Sequence, residues 1–99
     1  MNMQNLMAQA QKMQKDMQKK QEEINNEIFI GSTQAVKITM NGKKEIKKVE
    51  IDKNIIKDSE DIEALQDMIQ IAMNDAINQI NDEINKKMGA YSKMLNGLM

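Results

Sequence analysis

The sequence predicts an α+β fold in which a long helix, a three-stranded antiparallel sheet and a second long helix follow one another along the chain. Apolar residues recur at helical spacing over residues 3–24, alternate with polar residues over 28–51, and return to helical spacing over 62–88. The 99 residues have room for one small domain. Because the chain has one Phe, one Tyr and no Trp, its core must be aliphatic.

The first predicted helix covers about 25 residues, which corresponds to a length of about 38 Å. Its apolar residues are separated by three and four positions in alternation, with Lys20 filling one gap, which is typical of a heptad seam. The seam consists of Met3, Leu6, Ala10, Met13, Met17 and Ile24. A compact domain of this size has a radius of gyration near 13 Å, so we expect the helix to project or to lie along a partner helix.

The methionines of this seam allow three interpretations. The chain has eleven Met, and Met-rich surfaces can adapt to varied partners. The heptad spacing favours the alternative that the seam packs against another helix. A helix lying in a membrane interface is the third alternative, but the opposite face is mostly Gln and the stripe has no Trp or Phe anchor.

Three short apolar stretches predict the strands. The first is Ile28-Phe29-Ile30, and the second runs from Val36 to Met40 and stops at Asn41-Gly42, a strong signal for a two-residue type I′ hairpin turn. That turn predicts three cross-strand pairs, which are Met40 with Lys43, Ile38 with Glu45 and Val36 with Lys47. It also places Val49 and Ile51, which belong to the third stretch, on the core face and leaves Ile46 as the one apolar residue of the opposite face.

The second helix is expected to begin at Asp58-Ser59-Glu60-Asp61, where a capping side chain and several acids suit the positive end of a helix dipole. It is expected to end at Gly89, since glycine is common just after a helix. This divides the chain into one domain at residues 1–89 and a flexible C-terminal tail at 90–99.

The absence of Cys and His from the sequence removes disulfides, zinc fingers, thiol nucleophiles and histidine acid–base schemes. We therefore expect that the protein is not an enzyme and that it has no catalytic residue, cofactor, metal or small-molecule substrate. Asp75 could be interpreted as a catalytic or metal-binding carboxylate, but no second ligand of suitable spacing accompanies it. A structural role through hydrogen bonds is the favoured interpretation, and Ser59 is interpreted as a helix cap.

The longest apolar runs contain three residues, far fewer than the ~20 that a membrane-spanning helix needs. The N-terminal ten residues also lack the pattern of a secretory signal. We therefore expect a cytoplasmic protein that does not bind membranes.

The formal charge of −1 conceals alternating blocks of charge. Net charges are +3 for residues 1–21, −3 for 22–36, +4 for 37–57, −8 for 58–85 and +3 for 86–99. A protein that binds nucleic acid with its whole surface is globally basic, so a pI of about 5.4 argues against that mode. A local basic surface remains open.

Two groups of lysines are candidates for such a surface. Lys12, Lys15 and Lys19 are spaced by three and four residues and are centred nearly opposite the heptad seam. Lys44, Lys47 and Lys48 surround the predicted hairpin tip and form a competing candidate. Solvation alone is the alternative explanation for both groups, because lysines are common on exposed helix faces.

Four short motifs, in order along the chain, resemble those of the YbaB/EbfC family of bacterial nucleoid-associated proteins. They are Ala10-Gln11-Lys12-Met13-Gln14, the strand and turn from Val36 to Gly42, Val49-Glu50-Ile51-Asp52, and Met73-Asn74-Asp75-Ala76. The resemblance covers roughly residues 3–89, so the predicted domain is similar to those of this family.

The resemblance implies a tweezer-like homodimer with projecting long helices, located at the nucleoid, whose partners are a second copy and double-stranded DNA. In that arrangement the lysine groups contact duplex phosphates with little base specificity, because the chain has no Arg to bind guanine in a bidentate manner. The alternative function is a dimeric cytosolic scaffold or adaptor that binds a protein through its Met-rich helix and does not bind DNA.

Overall fold

The computed structural model describes the backbone of residues 2–97 and the side chains of residues 2–91. The elements are α1 (Met3–Asn26), β1 (Ile28–Ser32), β2 (Val36–Asn41), β3 (Ile46–Ile51), a 3₁₀ turn (Lys53–Ile55) and α2 (Glu60–Gly97). The three strands form one antiparallel sheet in the order β1-β2-β3. The predicted α+β fold, with its order of elements, is confirmed.

The core lies between α2 and the first two strands. Its buried side chains are Phe29, Val36, Ile38 and Met40 from the sheet and Ala72, Ala76 and Ile80 from α2. The two alanines allow α2 to approach β1 so closely that a Cβ at Gly31 would collide with Ala72 O. Glycine at this position is therefore required by the distance between helix and strand.

Two side chains of α2 bind backbone groups of the edge strand β1. Asp75 Oδ2 accepts a hydrogen bond from Ser32 N at 3.1 Å, and Gln79 Nε2 donates one to Ile30 O at 2.8 Å. The two side chains are four residues apart, so they lie on the same face of the helix. The predicted structural role of Asp75 is confirmed. The two hydrogen bonds also occupy backbone groups of β1 that another strand could otherwise pair with.

The predicted two-residue hairpin turn is wrong. Ile38 pairs with Val49 and Val36 with Ile51, while a bulge between Thr39 and Met40 shifts the last pair. The left-handed residue of the loop is Lys44, with φ of 66°, and no described glycine has a positive φ, so Asn41-Gly42 does not form the predicted type I′ turn. The observed register differs from the predicted one by an even number of residues, so Val49 and Ile51 still lie on the predicted face.

The position of Gly42 explains the longer loop. Gly42 N donates a hydrogen bond to Asn25 O at 3.2 Å, and a Cβ at this position would collide with Ile24 O at the end of α1. Gly42 therefore serves close packing of the loop against α1 and does not supply the turn conformation. The bulge also corrects the prediction for Ile46, which pairs with Met40 on the core side of the sheet.

The predicted end of the second helix at Gly89 is wrong, because α2 continues to Gly97. Gly89 has no left-handed φ, and the half-buried residues Ile84, Met88 and Tyr91 continue the apolar stripe past it. The backbone of residues 90–97 is thus helical. The flexibility predicted for residues 90–99 stays a prediction, and Leu98 and Met99 lie outside the described residues.

The C-terminal half of α2 runs antiparallel to α1. Lys87 Nζ lies 3.6 Å from Glu27 Oε2, and Lys20 Nζ lies 5.0 Å from the centre of the Tyr91 ring. Ile24 is the one fully buried residue of α1. The helix pair forms an arm that extends the molecule to 71 × 23 × 14 Å, with a radius of gyration of 19.8 Å. The predicted first helix both projects and lies along a partner helix.

Alanine substitutions at two glycines test the close contact between α2 and β1. We expect Gly31→Ala to lower the free energy of unfolding by about 3 kcal/mol, because the added Cβ overpacks against helix backbone. Gly89→Ala is the matched control, since a Cβ there meets nothing within 4 Å. The control should raise stability by about 1 kcal/mol through helix propensity. Urea denaturation measures both values, and equal effects would contradict the described packing.

Candidate nucleic-acid interface

Lys12, Lys15 and Lys19 form an exposed row along α1, which we call the lysine row. Met13 and Met17 are half-buried, so the side of the helix that they occupy faces the rest of the molecule. At 100° per residue, the lysine row is centred about 150° away from that side and extends over about 10 Å of helix. The row therefore presents three ammonium groups to solvent on one face.

The local sequence keeps the lysine row regular. No Gly or Pro interrupts α1 from Met3 to Asn26, and the helix begins with a cap in which Asn2 Oδ1 accepts a hydrogen bond from Gln4 N at 3.1 Å. A continuous helix fixes the spacing between the three lysine stems.

Lys20 occupies a different environment from the lysine row. Its half-buried side chain contacts the Tyr91 ring in a cation–π interaction, so it fills a position of the seam. Tyr91 was missed in the sequence because it follows the predicted helix end. The spacing of Ile84, Met88 and Tyr91 was the signal that could have revealed it.

The hairpin lysines have three separate positions in the loop and strand. Lys44 lies in the loop, Lys47 lies at the bulge, and Lys48 pairs with Thr39 across the sheet. Lys48 Nζ also lies 3.4 Å from Glu50 Oε1 in a mostly exposed ion pair. Such pairs contribute little to stability, but this one places a negative charge beside one of the three lysines.

Asn41 organises the loop that carries these lysines. Its Oδ1 accepts hydrogen bonds from Lys43 N at 3.0 Å and Glu45 N at 3.1 Å, while its Nδ2 donates to Glu45 Oε1 at 2.9 Å. The asparagine is buried together with Gly42, whereas Lys43, Lys44 and Glu45 of the same loop are exposed. Asn is common in turns because its side chain can bind backbone nearby, and this was the relevant signal in the Asn-Gly pair.

The carboxylate of Glu45 sits among the loop lysines. The hydrogen bond from Asn41 is the largest cause that lowers the pKa of Glu45, followed by the charges of Lys47 and Lys43. Because the folded state favours the charged form, ionised Glu45 stabilises the fold at any pH above the ordinary Glu pKa. This stabilisation is lost as the pH falls through the lowered pKa of Glu45. Glu45 therefore remains ionised and offsets part of the positive charge of the loop.

The two lysine groups lie one after the other along the molecule and do not form a single cluster. The loop contacts α1 at Ile24 and Asn25, near the base of the arm. At 1.5 Å per residue, Lys19 lies about 8 Å further along the helix axis and Lys12 about 18 Å. The hairpin lysines thus lie near the base of the arm, and the lysine row lies further out along it.

Other charged groups near the base of the arm are engaged in ion pairs. Lys87 Nζ lies 3.4 Å from Glu83 Oε1 as well as 3.6 Å from Glu27 Oε2. Burial acts to lower the pKa of Lys87, but its contacts with Glu83 and Glu27 outweigh burial and raise the value above normal. Because Lys87 is paired with two carboxylates, we do not count it among the candidate DNA-binding lysines.

Two further kinds of feature would bear on function in the part of the chain that the structure describes, a cluster of possible metal ligands and a membrane-spanning helix. Within that part, no three acidic side chains converge to form a possible metal site. None of its helices is long and apolar enough to cross a membrane.

The sequence matches a family model for the YbaB/EbfC DNA-binding family over residues 1–95. A nucleoid-associated protein of Lactococcus lactis subsp. cremoris is 44% identical over 97 residues, which cover 96% of this chain and 97% of the relative. A nucleoid-associated protein of Streptococcus agalactiae serotype III is 44% identical over 94 residues, covering 93% of this chain and 94% of the relative. The chain belongs to the YbaB/EbfC DNA-binding family.

A solved structure supports the same fold. An uncharacterized protein from Helicobacter pylori superposes with a TM-score of 0.72, covering 95% of this chain and 98% of the other at 24% sequence identity. The arrangement of a helix, three strands and a helix is therefore shared with an experimentally determined structure.

The environment of Glu45 gives a test of the loop geometry. We expect Lys47→Gln to raise the pKa of Glu45 towards its ordinary value, because the substitution removes a nearby positive charge. Lys48→Gln is the matched control and should leave that pKa unchanged, since Lys48 pairs with Glu50. Carboxyl-carbon NMR titration measures both, and equal shifts in the two variants would be inconsistent with the described loop.

Proposed function

We propose that this protein is a nucleoid-associated homodimer in the cytoplasm that binds double-stranded DNA through lysine–phosphate contacts with little base specificity from the lysines. The observation that carries the proposal is the lysine row on the solvent face of a projecting arm. Membership of the YbaB/EbfC DNA-binding family and the names of its nucleoid-associated relatives support DNA as the partner. The proposal assigns the chain no catalytic residue, cofactor or small-molecule substrate.

An uncovered apolar surface supports the homodimer. Because α2 packs over β1 and β2, the core-side residues of β3 remain half-exposed, at 47% for Ile46, 49% for Val49 and 37% for Ile51. We call these three residues the β3 shelf. Contiguous apolar surface of this kind marks an interaction site, and a second copy of the chain, which offers the same shelf, can cover it by two-fold symmetry.

The geometry of the lysine row suits phosphate contacts. Phosphates of one DNA strand recur every 3.4 Å along the helix axis, so a row about 10 Å long faces about three of them. In a tweezer-like dimer, two such rows approach the duplex from two arms. The total of about six contacts is sufficient for salt-dependent binding.

The distribution of charge limits the contact with DNA to the basic parts of the molecule. The first turn of α2 carries Glu60, Asp61 and Glu63, which repel phosphate. Because the chain has no Arg, its cations act as point charges and cannot form the planar bidentate contact with guanine. The lysines therefore supply affinity for DNA and position the protein on the duplex.

A protein-binding scaffold is the second candidate function, and the outer part of the arm favours it. Met3 is 75% exposed and Met7 60% exposed. A groove of about 450 Å³ between α1 and Tyr91 is lined by the apolar side chains of Leu6 and Met13 and also by Lys12 of the lysine row. An apolar partner segment could occupy this groove without any contact with DNA.

The homodimer predicts a mass of about twice 11.4 kDa at micromolar concentration in size-exclusion chromatography with light scattering. We expect Val49→Lys to yield monomers, because the substitution places a charge on the β3 shelf. Ile28→Lys is the matched control, since Ile28 is similarly exposed on the outer face of the sheet. A monomeric wild-type protein would refute both the dimer and the tweezer arrangement.

The DNA proposal predicts a steep salt dependence of binding. Six phosphate contacts correspond to a slope near −5 in a plot of log affinity against log salt, at about −0.9 per contact. Replacing the lysine row by Lys12→Gln, Lys15→Gln and Lys19→Gln should flatten the slope and weaken binding to every sequence alike. Gel-shift titrations with random duplex at several salt concentrations measure the slope.

The hairpin lysines provide the parallel variant, which carries Lys44→Gln, Lys47→Gln and Lys48→Gln. Circular dichroism and light scattering should show unchanged helix content and mass for both variants, because all six side chains are exposed. Loss of binding in the hairpin variant alone would assign the lysine row to solvation. If neither the wild-type protein nor either variant binds duplex at ~50 mM salt, where phosphate contacts are strong, the scaffold function is favoured.

A further inference from the structure

Four glutamines of α1 form a second row that is distinct from the lysine row. Gln4, Gln11, Gln14 and Gln18, with Met7 at the remaining position, are separated by three and four residues in alternation. This spacing places all five side chains on one face of the helix, which we call the glutamine row. At 100° per residue, the row is centred about 90° from the lysine row and about 120° from the half-buried seam.

The side chains of the glutamine row are available to a partner. All five are exposed, and none of the hydrogen bonds among residues 2–91 uses their side-chain amides. In contrast, Gln21 Nε2 donates to Asn25 Oδ1 at 2.9 Å, and Gln79 binds the backbone of β1. The glutamine row thus differs from the glutamines that have a structural contact.

The charged neighbours of this row differ from those of exposed amides elsewhere: Lys15 lies one helical turn from both Gln11 and Gln18, while one acid, Glu22, lies one turn from Gln18. On α2, Gln66 and Gln70 are also exposed, but Glu63 and Asp67 are their close neighbours on the helix surface. Acids at that position repel a DNA backbone. On α1, phosphates bound by the lysine row would bring base edges within reach of the adjacent amides.

We infer that the glutamine row reads adenine edges in the major groove, an inference that rests on the proposed DNA-binding function. A glutamine amide can donate to adenine N7 and accept from adenine N6 at the same time, and a major groove about 12 Å wide admits an α-helix. The exposed Met7 suits contact with a thymine methyl group, which lies in the same groove. The lysine row supplies affinity for any sequence, and the glutamine row adds a preference for adenine-containing sites.

The experiment selects preferred duplexes from a randomised pool with the full-length protein and compares gel-shift affinities for a selected and a scrambled site. We expect the selected sites to share adenines and to bind about tenfold more tightly than the scrambled site. The test variant carries Gln11→Ala, Gln14→Ala and Gln18→Ala. It should lose this preference while it keeps the wild-type affinity and salt slope on the scrambled site.

The matched control carries Gln66→Ala, Gln70→Ala and Asn78→Ala, which remove the same number of exposed amides from α2. It should keep the preference. Replacing the selected adenines by 7-deazaadenine removes the N7 acceptor, so it should lower wild-type affinity about tenfold and leave the test variant unchanged.

The possible results separate this inference from the proposed function. Binding by the wild-type protein without any sequence preference would overturn the inference and leave the DNA-binding function intact. Equal loss of affinity on both sites, or a changed oligomeric mass in the test variant, would also overturn it, because the row would then serve general binding or assembly. No binding to any duplex would overturn the proposed function and the inference together.

Discussion

The close packing of α2 against β1 and β2 determines the rest of this structure. Ala72 and Ala76 keep the helix surface flat, and Gly31 allows the strand backbone to approach it. A helix held this close to one side of the sheet cannot also cover β3. The same packing that buries the core therefore leaves the β3 shelf exposed, and it directs the C-terminal half of α2 away from the sheet and along α1.

The sequence was sufficient to predict the elements because each has a clear period. The alternation of three and four residues identified α1, and the alternation of polar and apolar residues identified the strands. The errors in the hairpin turn and in the helix end had one physical origin. Gly42 and Gly89 were both interpreted through the usual backbone preferences of glycine, whereas the first serves a contact distant in sequence and the second has no such role. Local patterns contain no information on such contacts.

The candidate site was predictable to a similar extent. The lysine row follows from spacing alone, because exposure on a helix is set by the position of the seam. The role of Asn41 was not predictable, since it depends on the path of the loop around its side chain. The heptad pattern placed Lys20 in the seam, but its contact with Tyr91 was not predictable, because that contact depends on a helix that continues past Gly89.

The contact between Gly42 and the end of α1 has a mechanical consequence. Ile24 is the one fully buried residue of α1, so the helix is anchored beside the sheet at this point while its far end stands clear of the sheet. From Ile24 the helix extends about 32 Å to Met3, at 1.5 Å per residue. A small change in helix direction at Ile24 would displace the N-terminal end of α1 many times further than its base, so the packing around Ile24 and Gly42 contributes to the placement of the lysine row.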